Sequence, residues 1–276
     1  MNAYARRAVS DAAAICCRAL LLAALCLLTA CTHVRQAAEQ PGSAVPRNIV
    51  ILFADGAAAT QWELGRYTSH YLRNRPFLAT DVVMREGALG LMSTLPADAL
   101  VTDSAASASA MSTGHKTANE MIAVLPDGKP VQTLIEAAKA AGKRTGLVTT
   151  AAIYDASPAA FSVHATSRRD AQALVDQYLA LEPDVLMGGG RDYFLPRTQA
   201  GGKRSDGRDL VALFRAKGYD YARDAAELRA AGGARLLGLF ADGDMDFEID
   251  RDAMHQPSTA EMAAAALRAL ARRSPD

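Results

Sequence analysis

The chain has 276 residues, half of them apolar, with 30 basic and 30 acidic side chains. A composition of this kind can bury a large core, which excludes an intrinsically disordered protein. Because the sequence contains no basic stripe and no run of like charges, it also argues against a nucleic acid as partner.

The first 30 residues have the composition of an export signal. Arg6 and Arg7 lie near the start, and an apolar run follows over residues 19–30, which is shorter than the roughly 20 residues that a membrane-spanning helix needs. The run ends in LTAC at residues 28–31, which resembles the lipobox of bacterial lipoproteins, in which the cysteine is acylated. A buried helix is the alternative for this run. We expect a signal peptide over residues 1–30, a lipid anchor on Cys31, and a location in the bacterial cell envelope, either periplasmic or anchored at the outer membrane.

A flexible tether is expected next, over residues 31–47, because this segment has two prolines, a glycine and no apolar period. The folded part is then expected over residues 48–276. It opens with NIVILFA at residues 48–54, a β-branched and aromatic run typical of a strand that is covered on both faces in a parallel sheet.

Strands and helices are predicted to alternate along the rest of the chain. Further strand candidates are residues 88–93, 144–149, 184–187 and 235–240. Apolar residues recur at helical spacing over residues 131–141, 171–181 and 210–216. Ser258 and Glu261 form a capping-box pattern that opens an alanine-rich helix to about Arg272. This alternation implies an α/β fold with a mostly parallel sheet.

Asp55 follows the first predicted strand directly and precedes a glycine. Ligands of open α/β sheets bind at the carboxyl ends of the strands, so this carboxylate is placed to reach a metal. An Asp-Gly turn without further role is the alternative.

The sequence VTDSAASASAMSTG at residues 101–114 carries the strongest chemical signal. It predicts a short helix that begins at Ser104 and is closed by Gly114. Free N–H groups and the positive end of the helix dipole would stabilise a phosphate at Ser104, and also the charge that develops as the hydroxyl attacks phosphorus. The alternative is a tightly packed helix that Ser104 only caps.

A second block, DASPAAFSVHATSR at residues 155–168, follows the strand candidate at residues 144–149. The carboxylate of Asp155 and the hydroxyl of Ser157 suit a hard cation, and the guanidinium of Arg168 fits two phosphate oxygens. Arg169 is the rival for this phosphate clamp. A helix cap and a solvated surface charge are the alternatives for Asp155 and the arginines.

The two blocks together closely resemble the N-terminal part of alkaline phosphatases. The resemblance implies a three-layer sandwich with a central, mostly parallel sheet that is incomplete at its C-terminal side. It also implies hydrolysis of phosphate monoesters, with inorganic phosphate as product, through a phosphoserine at Ser104. It assigns catalytic roles to Ser104, Arg168 and Asp103, with Asp103 orienting Arg168, and metal-binding roles to Asp55, Ser104, Asp155 and Ser157. Two zinc ions, one magnesium ion and a homodimer are expected from the family.

The family's remaining zinc ligands belong to a C-terminal half that should begin after residue 276. We therefore expect the isolated chain to bind zinc poorly and to be weakly active or inactive. His164 is expected to be structural, and the triplet Asp242, Asp244 and Asp246 does not continue as a calcium loop. The alternative function is a non-enzymatic envelope lipoprotein that binds phosphate. A sulfatase or phosphodiesterase relative that shares the core is disfavoured, since sulfatases need a modifiable cysteine or serine in a motif that is absent from the sequence.

Overall fold

The protein is described from a computed structural model that covers residues 47–272. The chain divides into two compact units, Met1–Phe53 and Ala54–Asp276. Residues 47–53 of the first unit contain no helix or strand. The predicted strand over residues 48–54 is therefore wrong, and Ile49, Val50 and Leu52 are exposed. β-Branched residues favour a strand only where neighbouring strands pair with the backbone and cover the side chains.

Several predictions fall on residues outside the described part. These are the signal peptide over residues 1–30, the lipidated Cys31 and, apart from Arg47, the tether over residues 31–47. Within residues 47–272, no helix is both long enough and apolar enough to cross a membrane.

The second unit is built around a four-stranded sheet in which all neighbouring strands are parallel. Its strands are β1 (Gly146–Ala152), β2 (Val185–Gly189), β3 (Asp220–Ala222) and β4 (Leu236–Leu239), in the spatial order β1-β2-β4-β3. The predicted strands at residues 144–149, 184–187 and 235–240 correspond to β1, β2 and β4. The predicted strand at residues 88–93 is wrong, because these residues have no regular secondary structure and Leu91 is fully exposed.

Helices connect and cover these strands. The α-helices are α1 (Ala59–Tyr67), α2 (Ser104–Thr113), α3 (Leu134–Ala140), α4 (Ala156–Ala160), α5 (Ala171–Leu181), α6 (Leu210–Ala216), α7 (Ala225–Ala230) and α8 (Thr259–Ala271). Two π-helical segments, Thr68–Leu72 and Ala79–Met84, and a 3-10 turn, Arg191–Phe194, complete the described elements. The predicted capping box is confirmed, since Ser258 Oγ accepts from the Glu261 N–H and the Glu261 carboxylate accepts from the Ser258 N–H.

Two apolar layers lie against opposite faces of the sheet. Leu186 of β2 and Leu237 of β4 pack in one cluster with helices α5 and α6. The alternate residues of β2, Val185 and Met187, pack in a second cluster with α8, whose buried positions follow the helical period. All five residues of β2 are buried. This covering of both faces explains the apolar strand sequence and gives the predicted three-layer α/β arrangement.

Candidate active site

Helix α2 has the form that its sequence predicts. Asp103 precedes it in extended conformation, and its Oδ1 accepts a hydrogen bond from the Ala106 N–H at 2.9 Å. The helix ends at Gly114, whose φ of 75° is left-handed and therefore suits glycine. Ser104 is the first helical residue, so its hydroxyl lies at the end where backbone N–H groups lack intrahelical partners.

The carboxylate of Asp55 joins two serines that are distant in sequence. Ser104 Oγ donates to Asp55 Oδ1 at 3.1 Å, and Ser157 Oγ donates to Asp55 Oδ2 at 2.7 Å. Asp55 lies in a turn before Gly56, whose φ is 66°, and Ser157 lies in the first turn of α4, just beyond the carboxyl end of β1. The fold thus brings one carboxylate and two hydroxyls together.

Arg168 connects the start of α4 to the start of α2. Its Nη2 contacts Asp155 Oδ1 at 2.7 Å, and its Nη1 contacts Asp103 Oδ2 at 3.3 Å. Burial lowers the pKa of Arg168, but the ion pairs with Asp155 and Asp103 outweigh burial and raise the pKa above its ordinary value. The guanidinium therefore keeps its positive charge. Two ion pairs use only two of the five N–H donors of a guanidinium, which leaves donors for an oxyanion.

The rival arginine lies elsewhere. Arg169 is 78% exposed and pairs with Glu120 at 2.6 Å. A surface position of this kind provides weak, solvent-screened interactions. The structure thus brings Arg168 to the site and leaves Arg169 on the surface.

The four histidines within residues 47–272 form hydrogen bonds with residues other than Asp55 and Ser104. His164 lies between the Ala123 carbonyl oxygen and the Glu136 carboxylate. His70 bonds to the Asp81 carboxylate, and His255 bonds to the Asp252 carboxylate. His115 bonds to the Thr113 carbonyl oxygen. Within residues 47–272, no group of three or more His, Cys, Asp or Glu side chains could hold a metal ion.

The aspartates of the rejected calcium loop have structural contacts. Asp242 pairs with Arg191 at 2.7 Å. Asp244 Oδ1 accepts from the Ala152 N–H at the end of β1, also at 2.7 Å. Asp246 accepts from the side chain of Gln256. These bonds connect the loop after β4 to its surroundings.

Sequence reasoning missed a turn at Asn119 and Glu120. The Asn119 side chain accepts from the Asp103 N–H at 2.9 Å, and the Glu120 N–H donates to Asp103 Oδ2 at 3.0 Å. Polar residues in a turn are ordinary surface composition. No local pattern therefore distinguished this pair from other loop residues.

The family model and the curated relatives that match this chain are alkaline phosphatases or related phosphatases. The family model described as alkaline phosphatase matches residues 46–275. The repressible alkaline phosphatase of Saccharomyces cerevisiae is 36% identical over 246 residues, which cover 83% of this chain and 43% of the yeast protein. The chain thus spans less than half of the length of that relative.

Solved structures agree with the sequence comparison. The alkaline phosphatase of Thermus thermophilus superposes with a TM-score of 0.73 at 37% identity, over 79% of this chain and 45% of that chain. A variant of the TAB5 alkaline phosphatase, solved with magnesium bound, superposes with a TM-score of 0.62 at 25% identity, over 76% of this chain and 57% of that one. The chain belongs to the alkaline phosphatase family.

Proposed function

We propose that this chain carries the nucleophile-bearing part of a phosphate monoester hydrolase, with Ser104 as the residue that accepts the phosphoryl group. The observation that carries the proposal is the position of the Ser104 hydroxyl at the N-terminus of α2, 3.1 Å from the Asp55 carboxylate. A helix N-terminus favours a phosphate dianion through its free N–H groups and its dipole.

The proposed reaction has two steps. Ser104 Oγ forms a bond to phosphorus while the ester P–O bond breaks, and the proton lost by Ser104 is balanced by the one that the leaving alkoxide gains to depart as the alcohol. The oxygen of a water molecule then bonds to phosphorus while the bond from phosphorus to Ser104 Oγ breaks, so that inorganic phosphate is released and Oγ regains a proton. The hydroxyl proton of Ser104 points to Asp55 Oδ1 before attack. The N–H groups of the first turn of α2 would stabilise the charge on the equatorial oxygens during both steps.

Arg168 would bind the same oxygens from the side. Asp103 and Asp155 each hold one of its terminal nitrogens, which orients the planar guanidinium before substrate arrives. A pre-oriented guanidinium fork loses less entropy on binding phosphate than a free side chain would.

The family resemblance implies one magnesium and two zinc ions, and the described residues fit these metals differently. Magnesium prefers one or two carboxylates with further oxygen ligands. Asp55, Asp155 and Ser157 supply oxygens of this kind, and bound magnesium would offset phosphate charge. Zinc sites need three or four converging protein ligands. The described residues contain no cluster of this kind and do not fit zinc on their own.

Phosphorylation of Ser104 tests the nucleophile. The chain is incubated with 4-nitrophenyl phosphate, Zn²⁺ and Mg²⁺, quenched in acid and analysed by peptide mass spectrometry. We expect turnover near background, but a phosphoryl group on Ser104, with none in Ser104→Ala. Ser107→Ala is the matched control, because the Ser107 hydroxyl bonds back to the Asp103 carbonyl oxygen one turn into the same helix. Labelling of Ser104→Ala at the wild-type level would refute the nucleophile assignment.

Calorimetry with inorganic phosphate separates hydrolysis from the second candidate function, a phosphate-binding envelope lipoprotein. That candidate is favoured by a site that offers an arginine and a helix N-terminus without a zinc ligand set among the described residues. Affinity without phosphorylation of Ser104 would support it. The absence of both would overturn both functions. Robust Ser104-dependent turnover would instead refute the expected weak activity.

Envelope location and lipid anchoring are proposed from the sequence around Cys31. Metabolic labelling with palmitate in a bacterial host is expected to label the wild-type chain and not Cys31→Ala. Labelling of both proteins would refute the anchor.

The homodimer implied by the family resemblance is proposed as well. Analytical ultracentrifugation of the purified chain measures its oligomeric state.

A further inference from the structure

Asp103 is held from two sides by consecutive residues of one turn. The side-chain oxygen of Asn119 accepts from the backbone N–H of Asp103 at 2.9 Å. The backbone N–H of Glu120 donates to Asp103 Oδ2 at 3.0 Å. The side-chain nitrogen of Asn119 also donates to the Val101 carbonyl oxygen at 2.9 Å. The Asn119–Glu120 turn therefore fixes both the backbone and the carboxylate at the start of α2.

The same turn holds Arg168. The Glu120 carbonyl oxygen accepts from the Arg168 N–H at 2.7 Å, and the Arg168 guanidinium reaches Asp103 Oδ2 at 3.3 Å. Asp103, Glu120 and Arg168 thus form a closed ring of three hydrogen bonds. A closed ring fixes the distance between the guanidinium and Asp103, the residue that precedes α2, more tightly than the ion pair alone could.

The backbone of Glu120 is unusual. Its φ is 65°, a left-handed conformation that non-glycine residues rarely adopt. Its side chain does not explain this, because among the described residues its carboxylate pairs with the exposed Arg169. The conformation instead directs the N–H of Glu120 to Asp103 and its carbonyl to Arg168. Strained residues persist where the surrounding structure over-determines them, and they cluster at functional sites.

We propose that the Asn119–Glu120 turn is a positioning element that sets the Arg168 guanidinium relative to Ser104. The proposal rests on the proposed function, since it assumes that both side chains act on one phosphate. Neither Asn119 nor Glu120 touches the reacting atoms. Their effect acts through Asp103 and Arg168.

Four variants test the positioning role. Asn119→Ala removes the side-chain contacts with Asp103 and Val101. Glu120→Val places a β-branched residue at a left-handed φ, which it resists, whereas Glu120→Gly accepts this conformation. Arg169→Ala is the control, because it removes only the surface ion pair of Glu120. Thermal unfolding of each variant establishes that it is folded.

Affinity for inorganic phosphate, measured by calorimetry, is the first readout. We expect Asn119→Ala and Glu120→Val to bind about tenfold more weakly, since small displacements of a binding group are costly. Glu120→Gly and Arg169→Ala are expected to stay within about twofold of wild type, because surface ion pairs contribute little. Preserved affinity in Glu120→Gly with loss in Glu120→Val separates backbone positioning from any role of the carboxylate. Wild-type affinity in both Asn119→Ala and Glu120→Val, or loss in Arg169→Ala equal to that in Glu120→Val, would overturn the proposal.

Amide hydrogen exchange is the second readout and does not depend on phosphate. Exchange at the Glu120 and Arg168 amides is expected to be faster in Asn119→Ala and Glu120→Val, with the β2 amides unchanged. If the wild-type chain binds no phosphate, the proposed function fails, and exchange alone decides on the turn. Equal protection of the Glu120 and Arg168 amides in all variants would then overturn the positioning role of the Asn119–Glu120 turn.

Discussion

The Asp103 carboxylate has two separable tasks, and substitution can measure each. Oδ1 caps α2 through the Ala106 N–H, and Oδ2 accepts from the Glu120 N–H and from Arg168. Loss of the cap costs about 1 kcal/mol. The substitution also leaves the partly buried Glu120 N–H without its acceptor and removes the ion pair between Asp103 and Arg168. These two losses cost about 2 kcal/mol more. Asp103→Ala is therefore expected to lower the free energy of unfolding by about 3 kcal/mol.

Asp103→Asn separates the two tasks. Asparagine caps a helix about as well as aspartate, but its amide nitrogen cannot accept from Glu120 or Arg168. We expect a loss of about 2 kcal/mol, mostly from the second task. Asp224→Ala is the control, because Asp224 caps α7 through the Glu227 N–H at 2.8 Å, and it should cost about 1 kcal/mol.

Urea unfolding followed by circular dichroism measures all three variants under one set of conditions. The expected order of destabilisation is Asp103→Ala, then Asp103→Asn, then Asp224→Ala. Unchanged m-values would show that the same surface is exposed on unfolding. If Asp103→Ala costs no more than Asp224→Ala, the bonds from Asp103 to Glu120 and Arg168 contribute nothing, and the reasoning from these distances is refuted.

Three further predictions concern Arg168, the capping box that Thr133 and Glu136 form at the start of α3, and the sheet. Arg168→Lys is expected to weaken phosphate binding about tenfold by calorimetry, because lysine lacks the planar fork, whereas equal loss in Arg169→Lys would contradict this. Burial raises the pKa of Glu136, but hydrogen bonds from Thr133 and His164 outweigh it and hold the pKa below its ordinary 4.5. The stability from the charged carboxylate is therefore present at neutral pH and lost as the pH falls through the lowered pKa. Glu136→Gln should lower the melting temperature at neutral pH, and a gap from wild type that persists in acid would argue against this. Gly188→Ala should cost about 1–3 kcal/mol in urea unfolding, since its Cβ would lie 2.6 Å from the Thr149 side chain. Gly243→Ala, whose Cβ meets nothing within 4 Å, should be neutral.

Local sequence signals predicted the helices well where caps and apolar spacing agreed. Helices α5 and α6 have the predicted bounds, and Ser258 and Glu261 cap α8 as expected. These signals work because helix hydrogen bonds and caps involve residues only a few positions apart. Helix α7 was missed, although its Asp224 cap with Glu227 three residues on is a readable signal.

Strands were harder than helices to predict from the sequence. The strands predicted over residues 48–54 and 88–93 were wrong. A strand is completed by partners distant in sequence, and an apolar run alone does not specify them. The reverse error occurred at β3, since Asp220–Ala222 is a strand of three residues. It is too short for any period to appear, and its pairing with β4 defines it.

The sequence by itself determined the family, helix α2 with its Asp103 cap, and the residue types suited to phosphate chemistry. Only the tertiary structure decided which of those residues meet. It placed the hydroxyls of Ser104 and Ser157 on one carboxylate, and it paired Arg168 with Asp155 and Asp103. It also bonded Asp103 to a turn that no sequence motif marks. The physical reason is the separation in sequence between the residues that interact. Caps and periods are set by neighbours along the chain, whereas the contacts of Asp55 join residues 49 and 102 positions away, which only the packed sheet and helices bring together.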